Sequence, residues 1–374
     1  MTRNYSLFKK SSILHLFLLL HFCNVLKAQA PPSQDTLINE LHILFDNNTF
    51  FRNNEYFGKI TEGYTLFGYW AEPKICYKAK EKISVTGGAH LQKYFGLTNY
   101  SSTKPYYQIA LRPNKTFSLI LGNLPIHKKE LPKPILSQEN VYTSPYHEGL
   151  SIAVTTKRIQ SINWLEWEDF LFHNEDKQEV LNINSCTKAF LFYRDNIKIA
   201  TPLIIRVHHQ GGQINAEPKK DLVVVVNNAT GLELFTTLQR ISITSKYLFC
   251  GYANKASAKY SDYDNGSGHF ASIRIAQKNH KLSYSYWNAF QYVSPDGEQY
   301  LNTVSDIPEA PFSTPHRELS TFGYSFETEY AKMANISTGI SGIYDNDADS
   351  FDYFYWLSIS IHIDKNIAFR GNKP

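Results

Sequence analysis

The chain is poor in sulfur, with two methionines and four cysteines. Cys23 falls in an N-terminal leader, which leaves Cys76, Cys186 and Cys250. An odd number excludes a complete internal disulfide framework, although one bridge plus a free thiol and three reduced thiols both stay open. No Cys-x-x-Cys and no cysteine–histidine spacing suited to zinc occurs. A long apolar run is also missing. The longest, from Ile13 to Leu26, is about 14 residues, short of the roughly 18–20 that span a bilayer as a helix. It follows Arg3, Lys9 and Lys10 and ends near Ala28, the order of a secretory signal peptide. Cleavage after Ala28 makes residues 1–28 a signal peptide and residues 29–374 the mature chain. A surplus of one charge is lacking too. Removing Arg3, Lys9, Lys10 and Lys27 from 38 basic residues leaves 34, equal to the 34 acidic ones. A near-neutral mature chain gives no electrostatic reason to expect a nucleic-acid partner. No repeat of fixed period and no Pro/Gly linker divides it, which lowers a propeller or solenoid.

Aromatic residues are what the chain has in quantity, with 25 tyrosines and 24 phenylalanines. They sit in stretches that alternate with a period of two, the signature of strands whose successive side chains face opposite sides. The last stretch is the clearest. Phe351, Tyr353, Tyr355, Leu357, Ile359, Ile361 and Ile363 share one face, and Asp352, Phe354, Trp356, Ser358, Ser360, His362 and Asp364 share the other. That apolar face runs for about 13 residues, whereas soluble strands are mostly about 5–6 long and a tilted membrane strand needs about 9–11. Shorter segments of the same kind occur at residues 107–111, 150–154, 203–207, 271–275 and 322–326.

Candidate strands begin near residues 40, 61, 82, 104, 115, 147, 160, 178, 197, 221, 241, 266, 281, 318, 335 and 350. Short polar turns follow the even members of this series, and most longer connections follow the odd ones, the largest being residues 125–147 and 294–317. Outer-membrane barrels sort their connections this way, with short periplasmic turns, long extracellular loops and both termini inside. A soluble β-sandwich has no reason to do so. The fold expected is all-β: a single closed antiparallel transmembrane β-barrel of about 16 strands, with a range of 12–16.

On its Lys27-Ala28-Gln29 cleavage region, its aromatic-rich alternating strands and its final strand over residues 351–364, the chain resembles porin-like outer-membrane β-barrels, including those of Bacteroidota-type bacteria. The resemblance covers the whole mature chain as a pattern and names no subfamily. In such families the last strand ends on a terminal aromatic, whereas here Phe369 is followed by Arg370-Gly371-Asn372-Lys373-Pro374. The resemblance implies the outer membrane of a Gram-negative bacterium as the location. The partners it implies are outer-membrane lipid, the export and barrel-insertion machinery, and small polar solutes.

The most unusual string is Trp164-Leu165-Glu166-Trp167-Glu168-Asp169. On a strand, Trp164, Glu166 and Glu168 point one way and Trp167 the other. Two carboxylates on one face can do acid–base chemistry or bind cations or sugars, but two residues apart on one strand they do not straddle a substrate. Charges facing a barrel lumen are ordinary and tune selectivity. His208 and His209 face opposite sides and cannot readily share a metal. Asp345-Asn346-Asp347-Ala348-Asp349 offers oxygen ligands, but an EF-hand needs glycine at its sixth position and glutamate at its twelfth, where this chain has Ser350 and Trp356. Asp262, Asp264 and Gly266 form a similar polar loop. No cofactor is called for. No local signature joins a nucleophile to a base, so the chain is expected not to be an enzyme. The leading function is passive, porin-like passage of small polar solutes, with Arg112, Glu166, Glu168, Arg206 and Arg274 as lumen and selectivity residues and the loop over residues 125–147 folded inward as the constriction. The alternatives are a non-conducting barrel acting in adhesion or assembly and a secreted soluble glycan-binding β-protein.

Overall fold

The computed structural model describes residues 39–367 except 80–81, 126–130, 174, 176, 213–221 and 256–260. The expected signal peptide over residues 1–28, the ten residues after it and the tail beyond residue 367 lie outside the described residues. Sixteen strands make one closed antiparallel barrel in which each pairs with its chain neighbours and the last closes on the first. They are β1 (Glu40–Glu55), β2 (Tyr64–Ala79), β3 (Ile83–Tyr94), β4 (Ser102–Leu111), β5 (Phe117–Asn123), β6 (Glu148–Thr155), β7 (Ile159–Asp169) and β8 (Val180–Tyr193). The other half is β9 (Ile197–Gln210), β10 (Val223–Leu238), β11 (Ile241–Asn254), β12 (Asn265–Gln277), β13 (His280–Phe290), β14 (His316–Tyr330), β15 (Ala334–Asp345) and β16 (Ser350–Ile367). One short helix, α1 (Asn140–Thr143), lies in the β5–β6 connection. Closure gives every strand a partner on both sides, as a backbone in lipid requires because no water is there to satisfy it. The soluble sandwich is therefore not the fold. The protein is an outer-membrane barrel embedded in lipid.

Alternation decides which side chains meet lipid. In β16, Phe351, Tyr355, Leu357, Ile359 and Ile363 are exposed on the outer wall, while Asp352, Phe354 and Ser358 are buried against the interior. The β1–β16 register puts Asn48 opposite Ser360 and Arg52 opposite Trp356 on the lumen side. Cys76, Cys186 and Cys250 are buried. The long connections all leave one end of the barrel, together with the short β15–β16 turn, and the other end carries short turns throughout. By the rule for outer-membrane barrels, the long-loop end faces outward.

The wall departs from a regular, open barrel in two ways. First, the connections over residues 124–147 and 291–315 turn into the barrel. Tyr292, Val293, Tyr300 and Leu301 from one and Leu131, Ile135, Leu136 and Tyr142 from the other join lumen residues such as Trp164, Trp287 and Phe354 in one buried apolar cluster. Second, β5 and β6 are the shortest strands. β4 pairs with β5 only from Gln108↔Gly122 to Leu111↔Leu119, and β6 meets β7 only from Thr155↔Gln160 up to Gly149↔Glu166. The outward half of the wall is thus missing two strands between β4 and β7. Gly122 marks the place where β5 ends. Its φ is +89°, and a Cβ there would come within 2.1 Å of the Tyr107 carbonyl oxygen.

Candidate functional site

Strand register assembles the first polar cluster. Across β7, β8 and β9, Trp164, Asn184 and Arg206 form one lumen-facing row, and Glu166, Asn182 and His208 form the next. Arg206 is 2% exposed. A buried guanidinium needs carboxylate and carbonyl acceptors to offset its lost hydration. It donates from Nη1 to Asn184 Oδ1 at 2.5 Å and from Nε to Asp296 Oδ2 at 2.8 Å, with Glu166 Oε2 3.7 Å from Nη1. Glu166 also accepts from Trp164 Nε1 at 2.6 Å, and Glu168 accepts from Asn182 Nδ2 at 2.7 Å. His208 Nδ1 lies 3.5 Å from Asp296 Oδ2, and His147 Nδ1 lies 3.9 Å from Glu166 Oε1. The sequence-expected Glu166, Glu168 and Arg206 therefore meet at one place. Arg274 lies apart, exposed on the lumen side of β12 in register with Ser283. Arg112 lies past the end of β4 in the exposed β4–β5 turn.

Asp296 comes from an inward loop, so the cluster is also an anchor. Two further wall arginines work the same way, both unremarked in the sequence. Arg52 pairs with Glu139 at 2.8 Å and donates from Nε to Asn54 Oδ1 at 2.9 Å. Arg317 donates from Nε to the Tyr300 carbonyl at 3.1 Å and from Nη1 to Asp345 at 2.8 Å. Indole and amide donors add to these. Trp70 Nε1 donates to the Val141 carbonyl, Trp287 Nε1 to that of Leu301, and Asn227 Nδ2 to that of Val293. The loops hold each other through Ser137 N to the Asp296 carbonyl at 2.7 Å and Glu298 N to the Lys133 carbonyl at 2.9 Å. The signal for such anchors is an arginine of lumen parity near the outward end of a strand. It is visible only once the register is known.

Burial alone would raise the Asp296 carboxyl, but Arg206 and His208 beside it hold it well below the usual carboxylate range. At Glu139 the balance reverses: burial raises the carboxyl, Arg52 opposes it, and Glu298 pushes it up again. A carboxyl depressed in the folded state contributes stability above its unfolded pKa and loses it only as pH falls through the folded value. The 291–315 loop is therefore expected to stay docked at pH 4. Limited proteolysis at pH 4 with an acid-active protease checks this, and cutting within that loop would show that the Asp296 anchor has let go.

Between the two loops is a cleft of ≈ 190 Å³ lined by Tyr56, Tyr64, Ser137, Glu139, Asp296 and Tyr300 among others. Ligand pockets run to about 300–1,000 Å³, so this one is too small for an acylated lipid. Among the described residues, no group of three or more His, Cys, Asp or Glu side chains could hold a metal ion.

The match of a protein-family model to residues 32–369 decides the affiliation. The chain belongs to the lipid A 3'-O-deacylase-type family. That corrects the expectation that it is not an enzyme, since the family is named for an enzyme activity. The expectation failed because it looked for a nucleophile and base joined locally, whereas a barrel brings its side chains together across strands. No curated protein matches the chain. Among solved structures, OccK5 (OpdH) of Pseudomonas aeruginosa is 10% identical over 87% of this chain and 98% of its own, with a TM-score of 0.50. OprD of the same organism is 10% identical over 87% of this chain and 94% of its own, with a TM-score of 0.47. OmpT of Vibrio cholerae is 7% identical over 88% of this chain and 100% of its own, with a TM-score of 0.48. At such identities the likeness to OccK5 concerns the barrel fold alone.

Proposed function

We propose that the protein is an outer-membrane hydrolase that releases ester-linked acyl chains from lipid A. Membership of the deacylase-type family supports the reaction class. The observation that carries the reading is the filled outward half of the lumen. Sixteen strands enclose enough space for an aqueous channel, yet here Trp287, Tyr292, Val293, Tyr300 and Leu301 are each at most 3% exposed in that space. A barrel built to pass solutes keeps that space wet, and one that works on its own membrane has no such need. The test is release of free fatty acid from vesicles containing lipid A by the purified, folded protein. Hydrolysis that depends on lipid A and is absent from phospholipid-only vesicles is expected. No release in any lipid mixture would overturn the reading.

Passive passage of small polar solutes is the second reading. It is favoured by the inward half of the lumen, where Arg274 and Ser283 are exposed. Selectivity roles for Arg112, Glu166, Glu168, Arg206 and Arg274 belong to that reading.

A further inference from the structure

The missing upper part of β5 and β6 leaves β4 and β7 separated by three strand spacings, roughly 14 Å, in the half of the wall that faces outward. The β4–β5 ladder stops at Gln108, and with Tyr107 N held by the Asn123 side chain the edge of β4 without a β5 partner covers residues 102–106. Two consecutive residues close this gap. Tyr146 donates its hydroxyl to the Pro105 carbonyl at 2.5 Å, a β4 acceptor with no β5 residue opposite it. His147 turns to the other side, toward Glu166 of β7. Tyr146 is only half-buried.

Directly behind the Tyr146 ring lies His90, with ring centroids 5.2 Å apart. His90 is fully buried, at 0% exposed. Its Nδ1 is 2.9 Å from Glu72 Oε1, and Glu72 is itself fixed by Lys74 at 2.7 Å, which also pairs with Asp46. The other ring nitrogen, Nε2, is buried and has no hydrogen-bond partner. A buried polar atom without a partner costs about 1–3 kcal/mol, and such groups call for an explanation. A carboxylate on Nδ1 leaves Nε2 as the basic lone pair. Lys104 stands opposite His90 in the β3–β4 register and carries its ammonium 4.8 Å from the Tyr146 ring centroid.

We infer that the β4–β7 gap admits an ester-bearing acyl chain sideways from the outer leaflet, and that His90, oriented by Glu72, is the base that activates the hydrolytic water there. The inference rests on the deacylase reading and gives it a place in the wall. Tyr146 swings out from the Pro105 carbonyl and the acyl ester takes its position beside Nε2. His90 Nε2 takes a proton from water as the water oxygen bonds to the ester carbonyl carbon. The carbon–oxygen bond to the sugar then breaks, and the proton passes from Nε2 to the leaving sugar oxygen. The products are a free fatty acid and a sugar hydroxyl, with no other reactant needed. Lys104 places a cation at the gap, which suits a phosphorylated glycolipid over a neutral one. Lipid with its chains still in the membrane never has to cross the loop-filled lumen.

The experiment compares the full-length wild type with the variants His90→Gln, Glu72→Gln and Tyr146→Ala on lipid A vesicles. Folding is checked by heat-modifiable gel migration. Loss of a positioned base costs about 10²–10⁴-fold in rate, so His90→Gln is expected to lose at least 100-fold while migrating as a folded barrel. Glu72→Gln is expected to lower kcat with little change in KM and to move the pH profile of kcat/KM, which a merely structural carboxylate would leave in place. Tyr146→Ala is expected to raise kcat/KM several-fold. A folded His90→Gln protein that keeps the wild-type rate overturns the inference and leaves the deacylase reading standing. A Tyr146→Ala rate at or below wild type overturns the lateral route. Should wild type itself release no fatty acid, the deacylase reading falls, and this inference with it.

Discussion

Removing the inward parts of both loops, residues 131–143 and 295–301, turns a closed barrel into a conducting one. In planar bilayers the shortened protein is expected to show open-channel steps of porin size that wild type lacks, because sixteen strands enclose an aqueous channel once the loops are gone. The wall itself survives the deletion, because the barrel closes from β1 to β16 through strand pairs that do not involve the deleted residues. What goes is the apolar cluster that Ile135, Leu136, Tyr300 and Leu301 make with Trp287 and Phe354, together with the Arg52–Glu139 and Arg206–Asp296 pairs that pin it. Deleting only one loop has a smaller effect, since each closes against the other through Tyr292 Oη to the Pro134 carbonyl. A wild-type protein that already conducts like a sixteen-stranded porin would contradict the filling of the lumen and return the passive-passage reading to first place.

The barrel was legible because lipid imposes a rule on every second residue. An outer face must be apolar whatever the lumen holds, so the period of two survives along the chain. The observed strands begin within about three residues of the expected positions. The Glu166–Glu168 pair was legible for the same reason, since residues two apart on a strand share a face. Arg112 had the right parity and lay one residue beyond its strand, where parity no longer places a side chain. The inward turn of residues 125–147 was expected for a long loop rich in lysine and proline, whereas the companion loop, of similar length, was not expected to turn in. Its Tyr292, Val293, Tyr300 and Leu301 show no alternation, and their partners Trp287 and Phe354 are set by tertiary packing. The shortness of β5 and β6 was hidden as well. It goes with the paired Gly122 and Gly149, the last wall residues but one before the chain turns inward, and both look like ordinary turn glycines in the sequence. His90 and Glu72 are eighteen residues apart on different strands. Only the register makes them a pair.

Arg206→Ala carries the largest expected cost of any single change in the lumen. Removing one member of a buried charge network leaves its partners uncompensated and typically costs about 3–5 kcal/mol. Here the loss takes the guanidinium from both Asp296 and Glu166, leaves Asn184 Oδ1 without its donor, and removes one of the ties that hold the 291–315 loop to the wall. Unfolding in urea from detergent micelles should show the loss as a lowered midpoint, and the loop should become sensitive to protease while the strands stay protected. Asp296→Asn is expected to cost less, because Arg206 retains Glu166 and Asn184. A double-mutant cycle between the two positions should give a coupling of about 1.5–3 kcal/mol. If Arg206→Ala were neutral, Arg206 would be a passenger in the lumen, and the loop would owe its position to Arg317, Trp287, Asn227, its bonds to the companion loop and apolar packing.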